Sequence, residues 1–170
     1  TNGQNADFVI VVAKTDPAHH TLVKQFAERE TGKEYLALIS GIPREKSGSV
    51  TLPIGRHPTI RVKMAVVKNG KPAHTDWEII ESFGDLASLI RCRIHTGRTH
   101  QIRVHLSSLG HPVLGDETYG FKPARSRVPP PPRVLLHARK LSFTHPGSGE
   151  PMSVEADWPV DFSDYVELLK

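Results

Sequence analysis

The sequence predicts an α+β domain built on a large, mostly antiparallel mixed β-sheet with a few flanking helices. Three observations carry that expectation. Apolar and polar residues alternate in many short segments, the period of half-buried strands. A helical period occurs only near Asp16, Thr99 and Asp161, and no internal repeat is visible. The 170 residues are 38% hydrophobic, enough for one core, while no apolar run reaches the ~20 residues of a membrane span.

Taken in order, Phe8 to Lys14 (FVIVVAK) is a continuous apolar run of strand length, expected in the middle of a sheet. Asp16-Pro17 then opens a helix, with Asp as N-cap and Pro at the first helical position. Leu22, Val23, Phe26 and Ala27 give it an apolar stripe, and Gly32 is the expected C-cap. KEYLALISG alternates, with Tyr35, Ala37 and Ile39 on one face and Leu36 and Leu38 on the other. SVTLPIG and RVKMAVVKNGK follow as strands, and Asn69-Gly70 is a hairpin turn. AHTDWEIIESF continues as a strand. After Gly84-Asp85, ASLIRCRIH sets Ile90, Cys92 and Ile94 against Arg91, Arg93 and His95 on opposite faces.

The period then changes. Ile102, Leu106 and Leu109 fall at i, i+4 and i+7, which predicts a helix from Thr99 to Leu109, ended by Gly110. HPVLGDETYG is a turn-rich loop, and PARSRVPPPPR a basic, extended surface loop. RVLLHARKLSFTHP and MSVEADWPV supply two more strands joined through Pro146-Gly147. Asp161 is the expected cap of a last helix carrying Phe162, Tyr165, Val166 and Leu169.

Lys and Arg outnumber Asp and Glu by only 22 to 18, but the excess is uneven. The stretch from Arg91 to Arg103 holds Arg91, Arg93, His95, Arg98, His100 and Arg103 and no acid. Such a cluster suits a polyanion, nucleic acid being the commonest, or is a solvated charged face. A lone cysteine, Cys92, excludes an internal disulfide and fits a reducing, cytoplasmic location; a small buried hydrophobe is its expected role. The first residues lack the basic-then-apolar order of a secretory signal.

Three chemistries compete for the histidine-rich segment HTGRTHQIRVHLSSLGH. Metal binding on a helix wants ligands at i, i+4. His95, His100 and His105 are five apart, so successive members turn ~140° beyond a full helical turn. The segment has no acid and no CxxC or HExxH pattern, and neither a metal ligand nor a metal partner is expected in the chain. Acid–base work by two histidines requires both rings to flank one phosphate, which the spacing does not enforce. Phosphate and sugar contact accounts for more residues. Gly97 admits close backbone approach, Thr96, Thr99 and the helix start offer an anion site, and Arg98 and Arg103 bring forked donors. His105 and His111 read as packing or turn residues.

The stretch IHTGRTHQIRVHLSSLGHPVLGDETYG closely resembles the signature of the RluA-type RNA pseudouridine synthases. VVAKTDPAHHTLVKQFAERETGKEYLALISG, IGRHPTIRVKMAV and LLHARKLSFTHPGSGEPMSVEADWP also resemble that family, in its order. The resemblance implies the pseudouridine synthase fold and an isomerase. Uridine in structured RNA, ribosomal RNA being favoured and transfer RNA open, becomes pseudouridine when the base leaves its sugar, rotates and reattaches through carbon. It implies an aspartate that attacks the nucleotide, a tyrosine that stacks on the base, an arginine that pairs with the aspartate, and no cofactor. Tyr35 in KEYLA matches the tyrosine and Arg103 in HQIRVH the arginine. The two are expected to converge on one cleft wide enough for an extruded nucleotide. RNA is expected over a basic face of Arg56, His57, Arg91, Arg93, Arg98 and Arg103, with His100 and Gln101 beside it.

The family's aspartate sits in a stretch like HRLDxxTSG, shortly before the AKT element, which here is Ala13 to Thr15. Counting back without a gap reaches Gly3. With a gap, Thr1-Asn2-Gly3 resembles the end of the motif and places the aspartate before residue 1; Asp7 fits neither alignment. The expectation is one synthase-like catalytic domain over 1–170, a C-terminal portion without its opening strands or an S4 module, and inactive alone. A non-catalytic RNA-binding module on the same fold and a metal-free, histidine-dependent ribonuclease stay open. No membrane partner is expected, and an incomplete sheet leaves an edge for self-association.

Overall fold

The computed structural model describes residues 10–28 and 30–170. Its main sheet has the strand order β2 (Ser47–Val50), β5 (Thr75–Phe83), β6 (Ala87–Ile94), β1 (Gly32–Ser40), β7 (Leu136–Thr144), β8 (Pro151–Glu155). Every pairing among these strands is antiparallel. β3 (Ile54–Arg56) and β4 (Met64–Val66) make a separate small hairpin. Three helices flank the strands: α1 (Asp16–Glu28), α2 (Gln101–Ser108) and α3 (Val160–Leu169). None is long and apolar enough to cross a membrane.

Alternation on β1 and β6 divides the core into two layers. Ala37 and Ile39 join Ile90, Cys92 and Ile94 beneath Ile102 and Leu106 of α2. Leu36 and Leu38 join Phe83 and Leu89 beneath Phe162, Tyr165 and Val166 of α3. Each fully buried side chain of this size stabilises the fold by roughly 1.5–3 kcal/mol, and the register Tyr35↔Cys92, Leu36↔Arg91 holds both sets in place. A one-residue slip would exchange the two faces. α2 ends as expected: Gly110 takes φ 82°, its N–H bonds Ser107 O, and His111 N–H bonds Leu106 O, the paired bonds of a Schellman cap.

Several elements differ from expectation. Residues 10–14 form no strand; Ile10 and Val12 are exposed, while Val11 and Ala13 pack on Leu22, Leu141 and Phe143. An apolar run signals burial, but a strand also needs a ladder partner, and among the described residues none pairs with 10–14. Phe8 and Val9 lie outside the described residues. At α1, the Thr15 hydroxyl accepts the Ala18 N–H, so Thr15 caps and Asp16 begins the first turn. The buried face of α1 is Leu22 with Gln25, not Val23 and Phe26. Gln25 earns its place by bonding both the N–H and the C=O of Thr144 at the end of β7. Gly32 starts β1 instead of capping α1. SVTLPIG splits into β2 and β3, and the Asn69-Gly70 turn returns the chain from β4 to a single bridge at Ile54↔Lys71. Pro159, not Asp161, precedes α3; the Asp161 carboxylate accepts Arg133 Nε and Nη2 at 2.5 and 2.9 Å.

Candidate functional site

Tyr35 stands on the α2 side of β1, partly buried against the layer that contains Ile102. That burial pushes its phenol pKa above the ordinary value. Arg103 follows Ile102 on α2, the helix packed over this layer, so the two matched residues sit on elements at one side of the sheet. Arg103 is turned toward the segment after α2. There Val113 bridges Ile39, and Leu114 accepts Leu135 N–H while donating to Leu38 O at 2.8 Å. Gly115, at φ 80°, then turns the chain so tightly that a Cβ would lie 1.9 Å from Arg133 O.

The turn delivers Asp116. Its carboxylate accepts Arg103 Nε at 2.6 Å and Nη2 at 2.7 Å, a two-pronged pair with side chains only 13% and 1% exposed. The same carboxylate accepts the Tyr119 N–H. The Tyr119 ring lies 4.8 Å beneath the guanidinium, and its hydroxyl accepts Met64 N–H and bonds His100 Nδ1 at 2.8 Å. His100 holds a left-handed conformation, φ 54°, at the start of α2. Arg103 is thus fixed on one edge by a carboxylate and on one face by a ring, and no described residue takes its Nη1. Sequence reasoning asked for an acid beside a buried arginine without finding Asp116, which lies in a loop 13 residues away.

The other anticipated RNA contacts do not form one surface. Arg91 and Arg93 point to the opposite sheet face, where Arg91 bonds Glu78 at 3.0 Å and lies 3.5 Å from Glu34, and Arg93 bonds Glu34 at 3.3 Å. Their charge is largely matched by strand neighbours. Gln101 is 3% exposed; its amide donates to His74 O and Thr75 Oγ1 and accepts from Thr96 Oγ1 and Arg98 N, so it closes the loop before α2. That bonding also occupies the Thr96 hydroxyl expected to face an anion. His57 Nδ1 accepts Thr59 and Ile60 N–H groups, a turn role. Arg98 reaches Pro72 O, and Arg56 is exposed, bonding Arg61 O. Two clefts, of about 540 and 360 Å³, open on the sheet face that carries Arg91 and Arg93. Neither Tyr35 nor Arg103 lines them, so the single nucleotide cleft expected between these residues is neither of these two.

The histidines also separate. His95 bonds Asp76 of β5, the acidic partner its own segment lacks; His100 bonds Tyr119; His111 donates to Ser40 O. His105 is fully buried, with Nε2 donating to Leu52 O at 2.8 Å and Nδ1 accepting Thr75 Oγ1. His95, His100 and His105 each bond a different group, an arrangement that lends no support to a two-histidine nuclease there.

Burial lowers the His105 pKa, and burial with the nearby Arg103 charge lowers that of His100. Both folded-state values lie below the unfolded one, so the unfolded chain binds more protons as pH falls. The stabilisation is fully present above pH ~6.5 and declines below it. Urea unfolding should therefore give lower stability at pH ~5.5 than at pH ~7.5, with a smaller difference in His105→Gln. Equal stability at the two pH values would contradict the assignment.

A sequence model of the RNA pseudouridylate synthase family matches residues 9–108. "Ribosomal large subunit pseudouridine synthase D" of Nitrosomonas europaea is 45% identical over 166 residues, covering 95% of this chain and 48% of the relative. An RNA pseudouridine synthase of Aquifex aeolicus without assigned target is 43% identical over 169 residues, again 95% of this chain and 53% of the relative. The chain spans about half the length of these curated relatives. Among solved structures, human RNA Pseudouridylate Synthase Domain Containing 1 superposes with a TM-score of 0.74 at 37% identity, covering 87% of this chain and 63% of that one. Human RNA Pseudouridylate Synthase Domain Containing 4 gives 0.70 at 25% identity, covering 91% and 68%. With these similarities running through the Tyr35 strand and the Arg103 helix alike, the chain belongs to the RNA pseudouridylate synthase family, RluA type.

Proposed function

We propose that this chain supplies the base-stacking and guanidinium side of a pseudouridine synthase active site, acting on uridine in structured RNA, with ribosomal RNA favoured. The observation that carries the reading is the held guanidinium of Arg103 on α2, the helix that packs over the sheet layer bearing Tyr35. An aromatic ring bordering a site offers a platform for an unstacked base. Burial raises the Tyr35 phenol pKa still further above neutrality, so the ring meets the base uncharged. Asp116 takes the Nε and Nη2 edge of Arg103, and Nη1 is the side on which an incoming carboxylate gains a charge-assisted hydrogen bond and is held ionised and aimed. Asp116 itself is buried and fully engaged, which suits it to orient Arg103 rather than to attack a sugar. The attacking carboxylate is not among the described residues. The overall change is an isomerisation: the N-glycosidic bond breaks, the base turns, and a C–C bond forms, with the displaced proton moving to nitrogen.

Replacing the matching 48% of the Nitrosomonas europaea relative with this chain tests the reading. The chimera is expected to form pseudouridine in ribosomal RNA, and Tyr35→Ala and Arg103→Met within it to abolish the product. A folded chimera that binds RNA without modifying it would move the assignment to a non-catalytic module.

A further inference from the structure

The cleft face of the sheet carries a cluster that the isomerase chemistry does not use. His95 N–H bonds His74 O, which extends the β5–β6 ladder one pair beyond Thr75↔Ile94 and sets His74 directly across from His95. Asp76, two residues along β5, points to the same face. The imidazoles lie 4.3 Å apart at 30°, with both Nε2 atoms on one carboxylate: His74 to Oδ1 at 2.8 Å and His95 to Oδ2 at 2.6 Å. All three donor atoms fall within 4.8 Å of one another.

We propose that His74, Asp76 and His95 form a binding site for a divalent d-block cation of the zinc type, three protein ligands with an open position toward solvent. Two imidazoles and one carboxylate match the borderline-soft ions, whereas magnesium and calcium favour all-oxygen sets. Bonds of about 2.0–2.1 Å to a tetrahedral ion place ligand atoms about 3.3 Å apart. The bonded pairs are now 2.8 and 2.6 Å apart on the two oxygens of one carboxylate, and the donor atoms lie within 4.8 Å of one another, so each edge must change by about an ångström to admit the ion. Side chains 39–51% exposed can move that far. Coordination requires each imidazole neutral with its proton on Nδ1, which leaves the Nε2 lone pair for the metal.

The surroundings hold the ligands without closing the site. Ser49 Oγ donates to Asp76 Oδ1, fixing the carboxylate's rotation. The His74 backbone is tied by its N–H to Thr96 Oγ1 and by its C=O to the buried Gln101 amide. Of these supports, the Ser49 bond to the ligating carboxylate acts directly on the metal's affinity, while the backbone ties hold the position of His74. Arg93 faces Asp76 across the ladder, but its guanidinium lies on Glu34 at 3.3 Å, which moderates its repulsion of a cation. The expected affinity is micromolar rather than tighter.

Helical spacing inside one segment carries no sign of this site. The three donors here come from neighbouring strands.

The test is competition of the metal-free 170-residue chain with a chromophoric chelator for zinc. One zinc per chain is expected, with magnesium failing to compete. His95→Ala, at an exposed position, should weaken zinc binding by at least about tenfold, as should Asp76→Asn, and Ser49→Ala by less. Circular dichroism confirms that each variant remains folded. Absence of competition overturns the site. So does unchanged zinc affinity in the His74→Ala/His95→Ala double variant, which would place the metal elsewhere, for instance at the neighbouring rings of His19 and His20 on α1. Neither result bears on pseudouridine formation by the chimera, so the two readings fail separately.

Discussion

Replacing Asp116 by alanine is expected to destabilise the domain by about 3–5 kcal/mol, the range for removing one partner of a buried ion pair. The reason lies in what is left behind. Arg103 is 13% exposed and its fork is committed to the carboxylate, so truncation strands a cation against the Tyr119 ring with little water to solvate it. The loss also releases the Tyr119 N–H from the same carboxylate. Because a domain's whole stability is about 5–15 kcal/mol, the change is readable by urea unfolding. Asp116→Asn, which keeps hydrogen-bond acceptance but not charge, should fall between. The Arg103→Met/Asp116→Leu pair should recover most of the loss, since exchanging a buried ion pair for apolar groups of similar volume is often neutral or better. The same double variant placed in the chimera should make no pseudouridine. Stability would then return while catalysis does not, the separation expected if Asp116 acts through Arg103. An Asp116→Ala protein as stable as the parent would show that the pair is solvated and that Arg103 is free to swing.

Much of this arrangement was legible in local pattern. Strand alternation alone placed Tyr35 with Ala37 and Ile39, and Ile90 with Cys92 and Ile94, because period-2 side-chain direction survives any tertiary context. It also set Arg91 and Arg93 on a common face. It did not provide the acids opposite them, because Glu34 and Glu78 arrive through a register that only the folded sheet defines. Gln101 was misread for a related reason. A polar residue among arginines suggests an RNA contact, yet its amide satisfies four groups of the loop and strand behind it. Asp116 is the same case with charge, 13 residues from Arg103, and so is Asp76 toward His95, 19 residues away on the next strand. The cap and turn signals fared better where glycine was required, as at Gly110, than where Asp offered one of several caps, as at Asp16 and Asp161.

Gly115→Ala is expected to be the most damaging single-methyl change near the site, costing roughly 3 kcal/mol or more. Two terms add. A left-handed backbone at φ 80° costs an L side chain roughly 1–2 kcal/mol. The new Cβ would also meet Arg133 O at 1.9 Å, and that atom is backbone that no rotamer change can move. The segment must shift, and it is pinned on both sides by Leu114 N–H to Leu38 O and Leu135 N–H to Leu114 O. Gly84→Ala is the control. Its φ of 55° carries the backbone term, yet nothing lies within 4 Å of the added methyl, so a loss of only about 1–2 kcal/mol is expected. The difference between the two variants in urea unfolding isolates the steric term. Because Gly115 aims the next residue, any displacement that relieves the clash also moves the Asp116 carboxylate off Arg103. Gly115→Ala in the chimera should therefore lose pseudouridine formation even at temperatures where it stays folded, and Gly84→Ala should keep it. Equal losses of stability for the two variants would mean that the loop yields freely, and the carboxylate that holds Arg103 would then lack a rigid support.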